Sequence, residues 1–118
     1  MTKAQKIRSK RLKKLDEAIN AEAEKIFDWI LDLMDVNTEK GYFGGVDLFL
    51  WDDKSSIKEL HNEEVTHDLT DVLLKYDRNK LFTTLAKLID NEEGYKVTLN
   101  LNAYIWESKA ILLSVVME

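Results

Sequence analysis

The sequence predicts an α+β protein: a long N-terminal helix, then β-α-α-β-β, with a small, mostly antiparallel sheet covered by helices. Three observations carry this. Apolar residues recur every three or four positions over residues 4–36 and 78–91. They alternate over Val46–Trp51 and Tyr95–Leu101. Four glycines and no proline leave few breaks between these tracts.

In the first helix, Leu12, Leu15, Ile19, Ile26, Trp29 and Leu33 form a seam at 3–4 spacing, which Glu22 interrupts. Ala23, Phe27, Ile30 and Met34 widen it into the broad face of a core-facing helix. About 33 residues at 1.5 Å each span about 50 Å. A compact domain of this length is about 35 Å across. The first turns therefore project as an arm or pack on another chain.

Gly41, Gly44 and Gly45 end this unit. Val46, Leu48 and Leu50 then share one face of a strand; Asp47, Phe49 and Trp51 share the other. Asp52-Asp53-Lys54-Ser55 reads as a turn. Ser56 and Glu59 have capping-box spacing, which predicts a short helix from Ile57. Val65, Leu69, Val72 and Tyr76 predict an amphipathic helix. Asp77 then caps a helix over about 78–91 that buries Leu81, Phe82, Leu85, Leu88 and Ile89.

After Gly94, Tyr95, Val97, Leu99 and Leu101 point inward along a strand. Tyr104-Ile105-Trp106 extends one of the last two strands. Ile111–Met117 is apolar on both faces, broken by Ser114, and predicts a central strand covered on both sides.

With 118 residues the chain is one domain, 1–118, in which 1–14 form a projecting basic helical arm. No cysteine is present, so thiolate metal sites, disulfides and cysteine nucleophiles are excluded. No apolar run approaches the length of a membrane span, and the basic N-terminus leads into Asp16-Glu17 where a signal peptide needs an apolar stretch. The expected location is the cytoplasm.

Catalytic and metal motifs fail on inspection. His61 and His67 lie among Glu63, Glu64, Asp68 and Asp71, but six residues apart they fall on opposite sides of a continuous helix. The reading for them is a solvated polar face. From Asp53, an EF-hand loop would need glycine where Lys58 stands. Glu107-Ser108-Lys109 has the E-x-K spacing of metal-dependent nucleases without an aspartate on the preceding strand. Gly41-x-x-Gly44-Gly45 precedes a strand and lacks the Lys-Ser/Thr of a P-loop. The expectation is therefore a non-enzyme with no cofactor and no metal.

Charge is distributed unevenly. Residues 1–14 carry seven cations and no anion, while the rest holds all 22 carboxylates and the other ten cations, a net of −12. Lys6, Arg8, Lys10, Arg11, Lys13 and Lys14 form a candidate nucleic-acid contact working by counterion release. No aromatic residue interleaves them, so base-specific reading is not expected. Glu24, Asp28, Asp32 and Asp35 run along one face of the first helix, where like charges cost a few tenths of a kcal/mol per i,i+4 pair. With Asp52, Asp53, Phe49 and Trp51 they form the candidate protein-binding set. If helices cover only one sheet face, the two rings make an exposed patch.

The helix ending near Val36, strand Val46–Trp51, helix Arg78–Asn91, Gly94-Tyr95-Lys96-Val97 and strand Ile111–Met117 together resemble small accessory proteins encoded by tailed bacteriophages. Ser114-Val115 stands where such hairpins usually carry Ser-Trp. The resemblance implies a host-takeover or counter-defence protein that binds rather than catalyses. It carries no binding residue over to this chain.

The leading expectation is a viral inhibitor or adaptor that binds a host or viral protein through its acidic and aromatic surface. One alternative is a nonspecific nucleic-acid-binding protein using the basic helix. Another is a structural subunit that self-associates through Leu12, Leu15, Ile19 and Ile26.

Overall fold

The computed structural model describes residues 1–69 and 77–118. Helix α1 (Lys3–Glu39) is followed by β1 (Val46–Trp51), β2 (Ser56–Glu59), β3 (Thr66–Asp68), α2 (Arg78–Asp90), β4 (Tyr95–Ile105) and β5 (Ser108–Met117). The strands form one antiparallel sheet in the order β3-β2-β1-β5-β4.

Both ends of α1 are locally encoded. Thr2 and Gln5 make a reciprocal capping box: the Gln5 amide donates to the Thr2 hydroxyl at 3.2 Å, and the Thr2 amide to Gln5 Oε1 at 2.8 Å. At the other end the Gly41 amide donates to Thr38 O and the Tyr42 amide to Asn37 O. Gly41 has a φ of 84°, so this is a Schellman stop built on a left-handed glycine. Thirty-seven helical residues span about 55 Å, which accounts for the 58 Å long axis of the molecule. The radius of gyration, 15.7 Å, exceeds the roughly 13–14 Å of a compact chain of this length because the arm projects.

Ile19, Ala23, Ile26, Ile30 and Met34 of α1 and Leu81, Phe82, Leu85 and Ile89 of α2 pack on one sheet face. That face presents Val46, Leu48 and Leu50 of β1 and Ile111, Leu113 and Val115 of β5. In register, Val46 pairs with Val115, Leu48 with Leu113 and Leu50 with Ile111, so the core is a set of cross-strand apolar pairs under two helices.

Three expectations are corrected and a fourth, the Asp77 cap, holds in position only. Ser56–Glu59 is a strand: Ile57 is fully buried on the helix-covered face, and Ser56 hydrogen-bonds Asp68 across to β3. Burying an isoleucine contributes about 1.5–3 kcal/mol, whereas an isolated one-turn helix has a nucleation cost and little to offset it. The helix expected through Val65 and Leu69 is replaced by a turn, in which Val65 N–H donates to Asn62 O, and by β3. Val72, Tyr76 and Asp71 lie outside the described residues. Asp77 occupies the N-cap position of α2 but its side chain makes no capping bond. Finally, β5 is internal to the sheet yet, among the described residues, helix-covered on one face only: Leu112 and Ser114 are half-buried and Val116 is exposed on the other.

Candidate protein-binding face

The sheet face turned away from the helices carries a second, smaller apolar cluster of Phe49, Ile105 and Ala110, bordered by Trp51, Leu60 and Leu112. Its assembly depends on a register irregularity. Asn100 pairs with Leu112 but Ala103 with Ala110, so β4 holds one extra residue between them. The inward set Tyr95, Val97, Leu99 and Leu101 therefore gives way to Ala103 and Ile105 on the outer face. This brings Ile105 beside Trp51, whose indole Nε1 donates to Ile105 O at 3.1 Å.

The β4–β5 hairpin turns through two residues, since Ile105 pairs with Ser108. Those residues, Trp106 and Glu107, both have positive φ, 48° and 67°. Such turns favour Asn and Gly at these positions, and a bulky residue there is conformationally costly. The outcome is that the Trp106 ring folds back over the outer face. Its centroid stands 5.9 Å from Phe49, edge to face, and 5.9 Å from Trp51; Phe49 and Trp51 are 5.0 Å apart. Phe49 is 0% exposed and Trp106 60%. Phe49 is thus the floor of the patch and the two tryptophans its surface. The expected exposed pair of Phe49 and Trp51 becomes Trp51 with Trp106.

Asp52 and Asp53 are exposed in the turn after Trp51, and Glu107 is exposed beside Trp106, giving the patch an acidic border. The other four residues of the expected protein-binding set lie elsewhere. Glu24, Asp28, Asp32 and Asp35 are exposed on α1, on the side away from Ile19, Ile26 and Ile30. The helix layer and sheet stand between them and the tryptophans, so the eight residues form two separate surfaces.

Lys6, Arg8, Lys10, Arg11, Lys13 and Lys14 are all exposed on the projecting part of α1, with Lys14 paired to Glu17 at 3.8 Å. Ile7 and Leu12 are exposed among them. Ile19 and Ile26, expected to serve self-association, are committed to the chain's own core.

The two histidines separate. His61 is exposed and 3.1 Å from Asp47. His67 is not on a solvated face: it packs against Trp29 at 5.3 Å and contacts the buried Glu22. Among the described residues, no group of three or more His, Asp or Glu side chains converges to hold a metal. No described helix is long and apolar enough to cross a membrane.

Comparison of the chain with protein-family models, with curated proteins and with solved structures gives no match.

Proposed function

We propose that this chain is a non-enzymatic protein-interaction module, an inhibitor or adaptor of the kind that viruses direct at host or viral proteins. Its binding face is the side of the sheet turned away from α1 and α2. The observation that carries the reading is Trp106, held in a left-handed turn so that its ring lies exposed over Phe49 and Trp51. Strained backbone at an exposed aromatic points to function rather than to folding. Tryptophans in a packed patch are the residues that most often dominate interface energy. The border of Asp52, Asp53 and Glu107 selects a partner with an apolar site ringed by basic side chains.

The test is affinity capture from bacterial lysate with the tagged wild-type chain and with Trp106→Ala, each with and without nuclease. One stoichiometric protein that survives nuclease and is lost with Trp106→Ala is the expected result. Retention of that protein by the variant would remove the tryptophan face from the reading.

A second reading rests on the arm. Six basic side chains of α1 are exposed beyond the core, which favours nonspecific contact with nucleic-acid phosphates. It predicts capture of many proteins that disappear with nuclease, and loss of that capture when residues 1–14 are deleted.

A further inference from the structure

Arg78 is the first residue of α2, and it is only 6% exposed. Buried charges are ordinarily paired. Here Nη1 donates to the carbonyls of Trp51 at 3.0 Å and Asp52 at 3.1 Å, which anchors the guanidinium beneath the β1–β2 turn. Nε is shielded from water and, among the described residues, has no acceptor. Among the described residues, no carboxylate forms an ion pair with it; the ion pairs present involve Lys14, His61, His67, Lys80 and Lys96. A buried donor without an acceptor is rare in native structures.

The same residue borders a cleft of about 460 Å³ lined also by Asn79, Asn102, Lys109, Asp52 and Asp53. Three features of this cleft favour negative charge. Arg78 lacks a counter-charge among the described residues. Lys109 lies at the opening of β5 with no ion-pair partner among them. Arg78 and Asn79, the first two residues of the 13-residue helix α2, line the cleft, so the positive end of the helix dipole lies beside it. Asp52 and Asp53 limit what can enter: they oppose a polyanion and favour one small oxyanion.

We infer that this cleft binds a small oxyanion, the phosphate or carboxylate group of a ligand, between Arg78, Lys109 and the first turn of α2. This site shares Asp52 and Asp53 with the rim of the tryptophan face but uses none of its rings, so its failure would leave the proposed function untouched.

The experiment is a titration of the isotope-labelled full chain with inorganic phosphate and, separately, with acetate, followed by amide and arginine Nε–Hε resonances. Saturable shifts at Arg78, Asn79 and Lys80 are expected with one or both anions. Phosphate alone would make it a phosphoryl site, and both anions a general oxyanion site. Lys109→Gln, at an exposed position, should weaken binding about two- to fivefold, and Asp53→Asn should tighten it. Arg78→Gln should abolish it; because that variant alters a buried anchor, the two surface variants carry the test if it does not fold. The inference is overturned if neither anion saturates by tens of millimolar. It is equally overturned if the shifts gather on Lys6–Lys14 or if Lys109→Gln and Asp53→Asn leave the affinity unchanged.

Discussion

Nε2 of His67 stands 3.2 Å from Oε1 of Glu22, joining the edge strand β3 to the middle of α1. Glu22 is 3% exposed and sits within the apolar seam of the helix. A carboxylate there has no water to solvate it, so His67 is what makes its burial tolerable, with Trp29 packed against the imidazole. Removing one partner of a buried pair leaves the other stranded at a cost of about 3–5 kcal/mol. His67→Ala should therefore destabilise the protein by a few kcal/mol, read as a lower urea midpoint. Glu22→Leu should cost less than His67→Ala, because a well-packed apolar side chain can replace a buried ionic one at little loss. The reverse order would show that the pair contributes more than its desolvation cost.

Gly45 and Gly44 are adjacent and opposite in consequence. A Cβ at Gly45 would lie 2.4 Å from Val115 O and 2.6 Å from Val116 Cγ1, while one at Gly44 would meet nothing within 4 Å. The backbone of β5 passes directly over Gly45 just before β1 starts, so a methyl group must push the strands apart. Gly45→Ala should destabilise by about 1–3 kcal/mol, the range for overpacking a tight site. Gly44→Ala should be neutral or slightly stabilising, by up to about 1 kcal/mol, through lower unfolded-state entropy. Paired thermal melts decide this.

These residues also show where sequence patterning suffices. Helices α1 and α2 and strand β1 run for several periods, and their apolar spacing identifies both element and buried face. Strands β2 and β3, four and three residues long, hold too few alternations for a period to register. At Ser56–Glu59 an accidental capping-box spacing outweighed them. Thr2 and Gln5 form the true capping box, legible from the same rule. In β4 the extra residue after Asn100 reverses the faces mid-strand, so simple alternation cannot place Ile105. Trp106 escaped the candidate set because its turn carries neither Asn nor Gly, the residues that announce such a turn. Glu22 read as an interruption because its partner, His67, lies 45 positions away.

The strain at the hairpin predicts a separation of stability from binding. Replacing Trp106→Asn together with Glu107→Gly supplies the residues that positive φ favours. Relief at the turn should largely offset the lost packing of the Trp106 ring, which is already mostly exposed. The double variant should therefore match or exceed the wild-type melting temperature. Its affinity for the captured partner should fall at least about thirtyfold, the loss of one dominant contact of about 2 kcal/mol or more. A variant that binds normally would place the partner on another surface, the acidic stripe of Glu24, Asp28, Asp32 and Asp35 being the next to neutralise.

The arm predicts the converse, a deletion that spares the fold. Every residue from 1 to 14 is exposed, and the first buried side chain of α1 is Ile19. The ion pair joining α1 to α2, Asp16 with Lys80, lies beyond the deletion. Loss of residues 1–14 should therefore change stability by no more than about 1 kcal/mol, mainly from the lost capping box. It also removes seven positive charges. If the arm lies on phosphates, the full chain should bind duplex DNA with affinity that falls steeply as salt rises, by about 0.9 log units per log unit of salt for each phosphate neutralised. The shortened chain should show no such binding. Equal binding by both forms would assign the salt-dependent contact to the folded body, where ten cations are outnumbered by 22 carboxylates, and would exclude the arm as its source.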